Sequence, residues 1–384
     1  MTRAALASRQ FARILLIKPS AFGDVVHTIP VLAKLRARYP QARIDWLIAP
    51  EIADLVRCHP ALSHAILFDR RRYLRFGRSW RATADFLGLL YRLWRTRYEL
   101  VIDLQGQLRS ALLTLAAAAP VRIGFDRPRK EALQATLRRL GRTALPHGWT
   151  GCREGAFLAY THHIRLPTLD IHAIDRYLWV AGLLGLDAGP PDGTVYLPPE
   201  ADAGADRLLA AHGLRDRPFA LLVPGTVWPT KHWRADGFAE VGRHFRRAGL
   251  GVVLAGAPQD RARCQAVAAA CPGACDLAGQ TTLAELGALI RRAVVSVTND
   301  SGSMHLAVAL DRPVVSVFGP TDPVWIGPYG RPQAVVQAGV ACAPCYFRRL
   351  RQCPHGHACM EQVSAAMVIE RVQSILADRR RDAG

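Results

Sequence analysis

Short, continuously apolar runs alternate with longer amphipathic stretches along most of this chain. Residues 13–18 (RILLIK) read as a strand buried on both faces, followed by the turn PSAFG and a helix from residue 24 to about 38 that stops before Pro40. Further strands are predicted at 43–49 and 65–68, and a basic segment, 70–81, leads into a helix ending near Tyr98. LVIDL at 100–104 is strand again, with a Gln105-Gly106 turn, a helix over 108–119 and a strand over 121–125 behind it. Such alternation argues for a parallel sheet covered by helices on both faces.

Residues 186–199 (LDAGPPDGTVYLPP) carry four prolines in fourteen positions, which breaks any regular element and reads as a linker. A second series follows, with strands at 219–223, 251–255, 294–298 and 314–318, helices at 236–248 and 260–270, and a helix carrying His305. A last helix, about 365–379, is placed to pack back across the first series. The expectation is an α/β chain of two domains, 1–195 and 196–384, with ligand turns at strand carboxyl ends and a cleft between them.

Composition adds limits. At 384 residues the chain suits two domains, and 50% hydrophobic with 21% charged residues is ordinary globular usage. The longest apolar stretch, 111–121, is interrupted by Thr114 and Pro120 and is too short to span a bilayer. The opening MTRAALASRQFAR lacks the apolar run of a secretory signal, so a soluble cytoplasmic protein is expected.

Charge changes the picture more. The formal net charge is +19, carried by 46 arginines and only four lysines, and residues 1–195 hold 29 basic against 15 acidic residues, a balance of +14. No module of interleaved basic and aromatic residues points to nucleic acid as a partner. An anionic acceptor at a membrane surface fits better, since each basic residue gains roughly 1 kcal/mol there. A compositional preference for arginine accounts for part of the excess.

Nine cysteines in a cytoplasmic chain are expected to be mostly reduced. Four gather late, Cys342, Cys345, Cys353 and Cys359, with His355 and His357 between them. Tetrahedral zinc takes four such ligands, but the irregular spacing favours structural thiols over a metal site. No cofactor is expected.

The richest stretch is NDSGSMHLAVALDRPVVSVFGPTDP, 299–323. A strand runs into an acidic Gly/Ser turn that opens a helix, and a helix N-terminus offers unpaired N–H groups and partial positive charge to phosphates. Asp300 and Asp322 suit hydroxyls rather than phosphates, so the combination suggests a nucleotide-sugar. In VPGTVWPTKHW, Thr226 and Lys231 follow another strand, and Lys231 is a compact charge for a diphosphate or for sugar oxygens. Asp260 at a further strand end is a ribose ligand or a helix cap, and His305 a phosphate donor or a satisfied helix-face histidine. Asp24, at the start of its helix, suits an N-cap, a base that accepts a proton from an attacking hydroxyl, or both, since a helix N-terminus favours the ionised form.

Taken together, IKPSAFGDVVHTIP (17–30), IDLQGQLRSAL (102–112), TKHW (230–233), GAPQD (256–260) and the 299–323 stretch resemble glycosyltransferase family 9, the ADP-heptose:lipopolysaccharide heptosyltransferases. The resemblance implies a GT-B fold, two Rossmann-like domains with parallel sheets facing across a cleft. It implies metal-independent, inverting transfer of heptose from ADP-heptose to the lipopolysaccharide inner core, by a protein in peripheral contact with the inner membrane surface. Carried over, Asp24 is the general base. Thr226, Lys231, Ser301, Gly302 and His305 match donor-site positions, Asp300 a sugar-contacting aspartate, and Asp260 a position near the ribose. Arg70, Arg71, Arg72, Arg153 and Arg176 fall where similar proteins face an anionic glycolipid acceptor. The alternatives are a related transferase using another nucleotide-sugar, or a catalytically silent protein binding anionic glycolipid or nucleic acid.

Overall fold

The computed structural model describes residues 3–140 and 151–382, and the chain divides into two compact units, Met1–Tyr196 and Leu197–Gly384. In the first unit the strands are β1 (Arg13–Ile17), β2 (Arg43–Ile48), β3 (His64–Leu67), β4 (Leu100–Asp103), β5 (Val121–Phe125) and β6 (His162–Ile164). They form one sheet in the order β3-β2-β1-β4-β5-β6, parallel at every pairing. The apolar runs that predict β1 and β4 belong to its centre, where both faces are covered: Ile14 to Ile17 and Leu100 to Ile102 are fully buried.

Helix α1 (Phe22–Arg38) follows β1, and its last turn closes as Tyr39 N–H donates to the Leu35 carbonyl, one residue before Pro40. It begins two residues earlier than predicted, so Asp24 is the third residue of the first turn and not the cap. Helix α2 (Trp80–Arg95) is capped by Ser79 and buries Leu89 and Leu93, with Leu113 of α3 (Leu108–Ala116), against Leu15, Ile17, Leu47 and Val101 of the sheet. Helix α3 ends earlier than predicted, and Ala118, at φ 50°, already lies outside helical space. Helix α4 (Ala173–Leu178), which the apolar pattern did not reveal, packs on α1.

The second unit repeats the plan. Strands β7 (Phe219–Val223), β8 (Gly251–Leu254), β9 (Cys275–Asp276), β10 (Val295–Asn299), β11 (Val314–Val317) and β12 (Val335–Val336) are ordered β12-β11-β10-β7-β8-β9, again parallel. Both sheets thus reverse direction after their third strand, the doubly wound order with a switch point beside the first strand. Its helices include α5 (Ala235–Arg247), α6 (Arg261–Ala270), α7 (Leu283–Arg292), α8 (Gly302–Ala309) and α9 (Ala365–Asp382). Thr282 and Glu285 start α7 by a reciprocal cap: Glu285 N–H donates to Thr282 Oγ1 at 3.1 Å and Thr282 N–H to Glu285 Oε2 at 2.8 Å.

Helix α9 inserts Val368 and Val372 into the core of the second unit, with Phe238, Val241 and Phe245 of α5. Trp233 anchors the same core. Its ring is fully buried and edge-on to Phe238 at 4.9 Å, its indole N–H donates to the Val363 carbonyl at 2.9 Å, and its backbone N–H to Asn299 Oδ1 at 3.0 Å. Asn299 Nδ2 in turn donates to the Pro224 carbonyl at 2.7 Å, which ties the end of β10 to the loop after β7.

Candidate active site

In the first unit the switch point lies between β1 and β4. Lys18 leaves β1 there and its Nζ sits 3.4 Å from Asp24 Oδ2. The Tyr177 hydroxyl of α4 donates to Asp24 Oδ1 at 3.2 Å, and the Ala21 N–H to Oδ2 at 3.3 Å. The Lys18 side chain is only 4% exposed whereas that of Asp24 is 40% exposed. Burial on its own would raise the Asp24 pKa; the Lys18 ammonium and the bonds from Ala21 and Tyr177 outweigh it and hold the carboxyl below its ordinary value. Burial likewise opposes the charge on Lys18, and Asp24 with Tyr177 overcomes it, so the ammonium is held above its ordinary value. The result is an ionised carboxylate, fixed from three sides and still open to solvent.

The predicted acceptor arginines separate into three situations. Arg70, Arg71 and Arg72 lie on a one-turn helix, Arg70–Tyr73, capped by Asp69, and all three are exposed. Arg72 is paired with Asp85. Arg70 and Arg153 are near enough to Arg109 of α3 to push its pKa down, after burial, while Glu154 opposes them. These three guanidinium groups therefore share one patch. The loop bearing Arg153 is fixed there because Arg153 N–H donates to the Gly106 carbonyl at 2.8 Å and Leu108 N–H to Glu154 Oε2 at 3.1 Å. Gly106 sits at φ +63°, and a Cβ on it would stand 2.8 Å from the Gly151 carbonyl oxygen. Arg176 does not join the patch. It is buried in α4 beside Tyr177, at 3% exposure.

In the second unit the switch point lies between β7 and β10, and the predicted donor residues gather at it. Lys231 Nζ meets Asp300 Oδ2 at 2.6 Å, with side chains 12% and 4% exposed. The same Oδ2 accepts from Thr321 Oγ1 at 2.5 Å, and Thr226 Oγ1 donates to the Asp300 carbonyl at 3.0 Å. Lys231 also lies over the Trp228 ring at 4.5 Å, with Arg348 over that ring at 4.6 Å. Ser301 precedes α8 without capping it, and its hydroxyl is buried with no protein partner among the described residues. Gly302 opens α8, and His305, 7% exposed, is one turn further along. Asp260 closes in beside Thr226: a Cβ on Gly225 would strike its carboxylate at 2.2 Å. That carboxylate accepts from Ala257 N–H at 2.9 Å, so it does not cap α6 despite standing at its head. Burial raises the Asp260 pKa against the pull of Ala257 and Arg263.

One expectation needs revising. Asp322, read as a hydroxyl ligand, is 4% exposed and caps its own short helix by accepting from Val324 N–H at 2.9 Å. For Cys342, Cys345, Cys353 and Cys359, burial and the other three thiols push the Cys359 pKa up to about 12. Among the described residues, however, no group of three or more His, Cys, Asp or Glu is arranged to hold a metal ion. The segment around them serves as a brace, with Tyr346 N–H donating to the Pro320 carbonyl at 2.6 Å and Thr230 Oγ1 to the Phe347 carbonyl at 2.5 Å.

The profile of glycosyltransferase family 9 (heptosyltransferase) matches residues 87–146 and 132–355. The lipopolysaccharide heptosyltransferase 1 of Pseudomonas aeruginosa is 31% identical over 334 residues, 87% of this chain and 86% of that protein. The chain belongs to glycosyltransferase family 9. The lipopolysaccharide heptosyltransferase 2 of Salmonella typhimurium is 26% identical over 95% of this chain and 99% of its own. Among solved structures, the E. coli heptosyltransferase with ADP-2-deoxy-2-fluoro heptose superposes with a TM-score of 0.69 at 26% identity, covering 94% of this chain and 99% of that one. The strand order of both units is thus that of a GT-B glycosyltransferase.

Three residues of this family 9 site were not singled out from the sequence: Lys18, Tyr177 and Arg109. For Lys18 a signal existed. Lysine is rare in this arginine-dominated chain, and Lys18, Lys34 and Lys231, three of the four, each pair with an aspartate. Arg109 lies within the family-like stretch 102–112 without standing out in it, and Tyr177 carried no signal of its own.

Proposed function

We propose that this glycosyltransferase moves a heptose from ADP-heptose to the lipopolysaccharide inner core by metal-independent single displacement, at the inner face of the cytoplasmic membrane. An acceptor hydroxyl gives its proton to the Asp24 carboxylate as its oxygen bonds to the anomeric carbon. The bond from that carbon to the diphosphate oxygen breaks on the opposite face, ADP departs and the configuration inverts. The observation that carries the reading is Asp24 itself, an ionised carboxylate held by Lys18 and Tyr177 yet 40% exposed.

On the donor side Lys231 and the N–H groups opening α8 supply positive charge for the leaving diphosphate, and the unpartnered Ser301 hydroxyl supplies a donor. Asp300 and Thr226 hold that group of residues together, His305 serves the phosphates and Asp260 a ribose hydroxyl. Arg70, Arg71, Arg72, Arg153 and, newly, Arg109 receive the anionic acceptor, guanidinium groups being suited to paired contacts with carboxylate or phosphate. Arg176, being buried, supports Tyr177 rather than meeting the acceptor.

The test is turnover of the purified chain with ADP-heptose and a heptose-free inner-core acceptor, in chelator, with the product anomer assigned by NMR. Inverted product formed in chelator is expected. Retention of configuration, a requirement for divalent metal, or turnover only with UDP- or GDP-sugars would overturn the corresponding part.

A further inference from the structure

Helix α2 has two apolar faces where a surface helix needs one. Ala82, Leu89 and Leu93 are buried. On the opposite side Trp80, Leu87, Tyr91 and Trp94 are 76%, 52%, 54% and 56% exposed. At 3.6 residues per turn those four fall within roughly 60° of one another, centred across the helix from the buried set. Arg81, Arg92 and Arg95 flank this stripe on one side. Arg81 lies over the Trp80 ring at 5.4 Å, Arg95 donates to the Tyr91 hydroxyl at 3.0 Å, and the Tyr91 and Trp94 rings are 6.0 Å apart.

The stripe has a neighbour. Helix α3, in contact with α2, exposes Leu108, Leu112 and Leu115 at the spacing of one helix face. Single exposed leucines are ordinary, but two adjoining helices with large apolar side chains turned outward mark an interaction surface. Its charge selects the partner. Residues 70–97 hold nine arginines and one acid, Asp85, which Arg72 occupies. A second copy of the same face would meet it with like charge.

We propose that α2, with the exposed leucines of α3, docks this enzyme on an anionic phospholipid bilayer. Aromatic rings with polar tips settle at the headgroup level, arginines reach the phosphates while their stems cover apolar surface, and leucines enter the acyl boundary. Attachment is lateral, since no helix among the described residues is long and apolar enough to cross a membrane. The Arg70–Tyr73 turn packs on α2, and Arg109 is on α3, so docking sets the acceptor arginines at the lipid surface. The proposal rests on the function above, which places the enzyme at the inner membrane face with a membrane glycolipid acceptor, and adds the surface by which it docks.

Flotation of the full chain with vesicles of phosphatidylcholine, alone or mixed with phosphatidylglycerol, tests it. The wild type should float with the anionic vesicles and be released by salt. Leu87→Ser with Trp94→Ser should lower that partitioning about tenfold or more. Arg81→Gln with Arg92→Gln should lower it roughly fivefold per residue and flatten the salt dependence. Both double variants should turn over a soluble, delipidated acceptor as the wild type does, which separates docking from acceptor recognition and from misfolding. Equal flotation of wild type and variants, or no preference for anionic vesicles, would overturn the proposal. So would a wild-type dimer that Leu87→Ser with Trp94→Ser makes monomeric while vesicles bind neither. Failure of the wild type on the soluble acceptor would instead count against heptose transfer and leave the vesicle result standing.

Discussion

Each unit of this protein puts a lysine–aspartate pair at its switch point, and the two pairs are built in opposite senses. In the first, Lys18 is buried and the Asp24 carboxylate is the open partner. In the second, the Asp300 carboxylate is the more deeply buried partner, at 4% against 12% for Lys231, and it is further occupied by Thr321. A buried charge needs its counterpart to be tolerated at all, so each pair is structural on its inner side. The outer side is the more exposed one: an anion suited to the proposed proton acceptor in one unit, a cation suited to the proposed diphosphate contact in the other. Exposure, more than residue type, assigns the roles. The surrounding charge follows suit, at +14 for residues 1–195 and +5 for the 21 basic and 16 acidic residues that remain.

The largest effect expected from disturbing this contrast is on turnover. Asp24→Asn keeps shape but loses the proton acceptor, and kcat should fall by about 10²–10⁴-fold. The dissociation constant of ADP, measured by calorimetry, should stay unchanged because the donor residues lie in the other unit. An equal loss of ADP binding would contradict the division of labour.

Asp300→Ala should act mainly on stability and donor affinity. It strands Lys231 in a poorly solvated position, and breaking a buried pair from one side costs about 3–5 kcal/mol. Denaturant unfolding reads the loss, and ADP-heptose should bind more weakly. A midpoint close to wild type would show that Lys231 needs no internal partner.

Lys18→Met is the subtlest change and shows itself in pH dependence. With the ammonium gone, the largest influence opposing burial is lost, and the Asp24 pKa rises. The acid limb of kcat/KM should therefore shift to higher pH. Asp24, held low, stabilises the fold above its ordinary value and loses that contribution as pH falls through its folded value. Lys18, held high, stabilises below 10.5 and loses its share as pH rises through its folded value. The stability gap between wild type and variant should thus be widest at neutral pH and close at both extremes. A gap independent of pH would mean that packing rather than charge is lost.

Much of the architecture was readable in the chain because buried parallel strands need apolar residues at every position. β1, β4, β7, β10 and β11 all lie within a residue of where such runs place them. Strands β9 and β12, of two residues each, and β6, of three, are too short to carry a pattern, and pairing alone makes them strands. Helix α7 did carry one in its Thr282–Glu285 cap, which apolar periodicity passed over. The proposed donor residues were legible for a related reason: Thr226, Lys231, Asp300 and Ser301 follow readable strands, and Gly302 and His305 lie in the first turn of the helix behind one of them.

Sequence by itself determined the two α/β series, the family, the turns that carry the donor residues and the basic bias of the first half. Only tertiary structure decided which charges are open and which are spent. Tyr177 reaches Asp24 across 153 positions of chain, and Thr321 reaches Asp300 across 21. It also decided that Asp322 is a cap and that α2 turns a second apolar stripe outward. The physical reason is that residue types and spacing describe what neighbours along the chain can do. Desolvation and pairing, which set the state of a charge, depend on what folding brings alongside it.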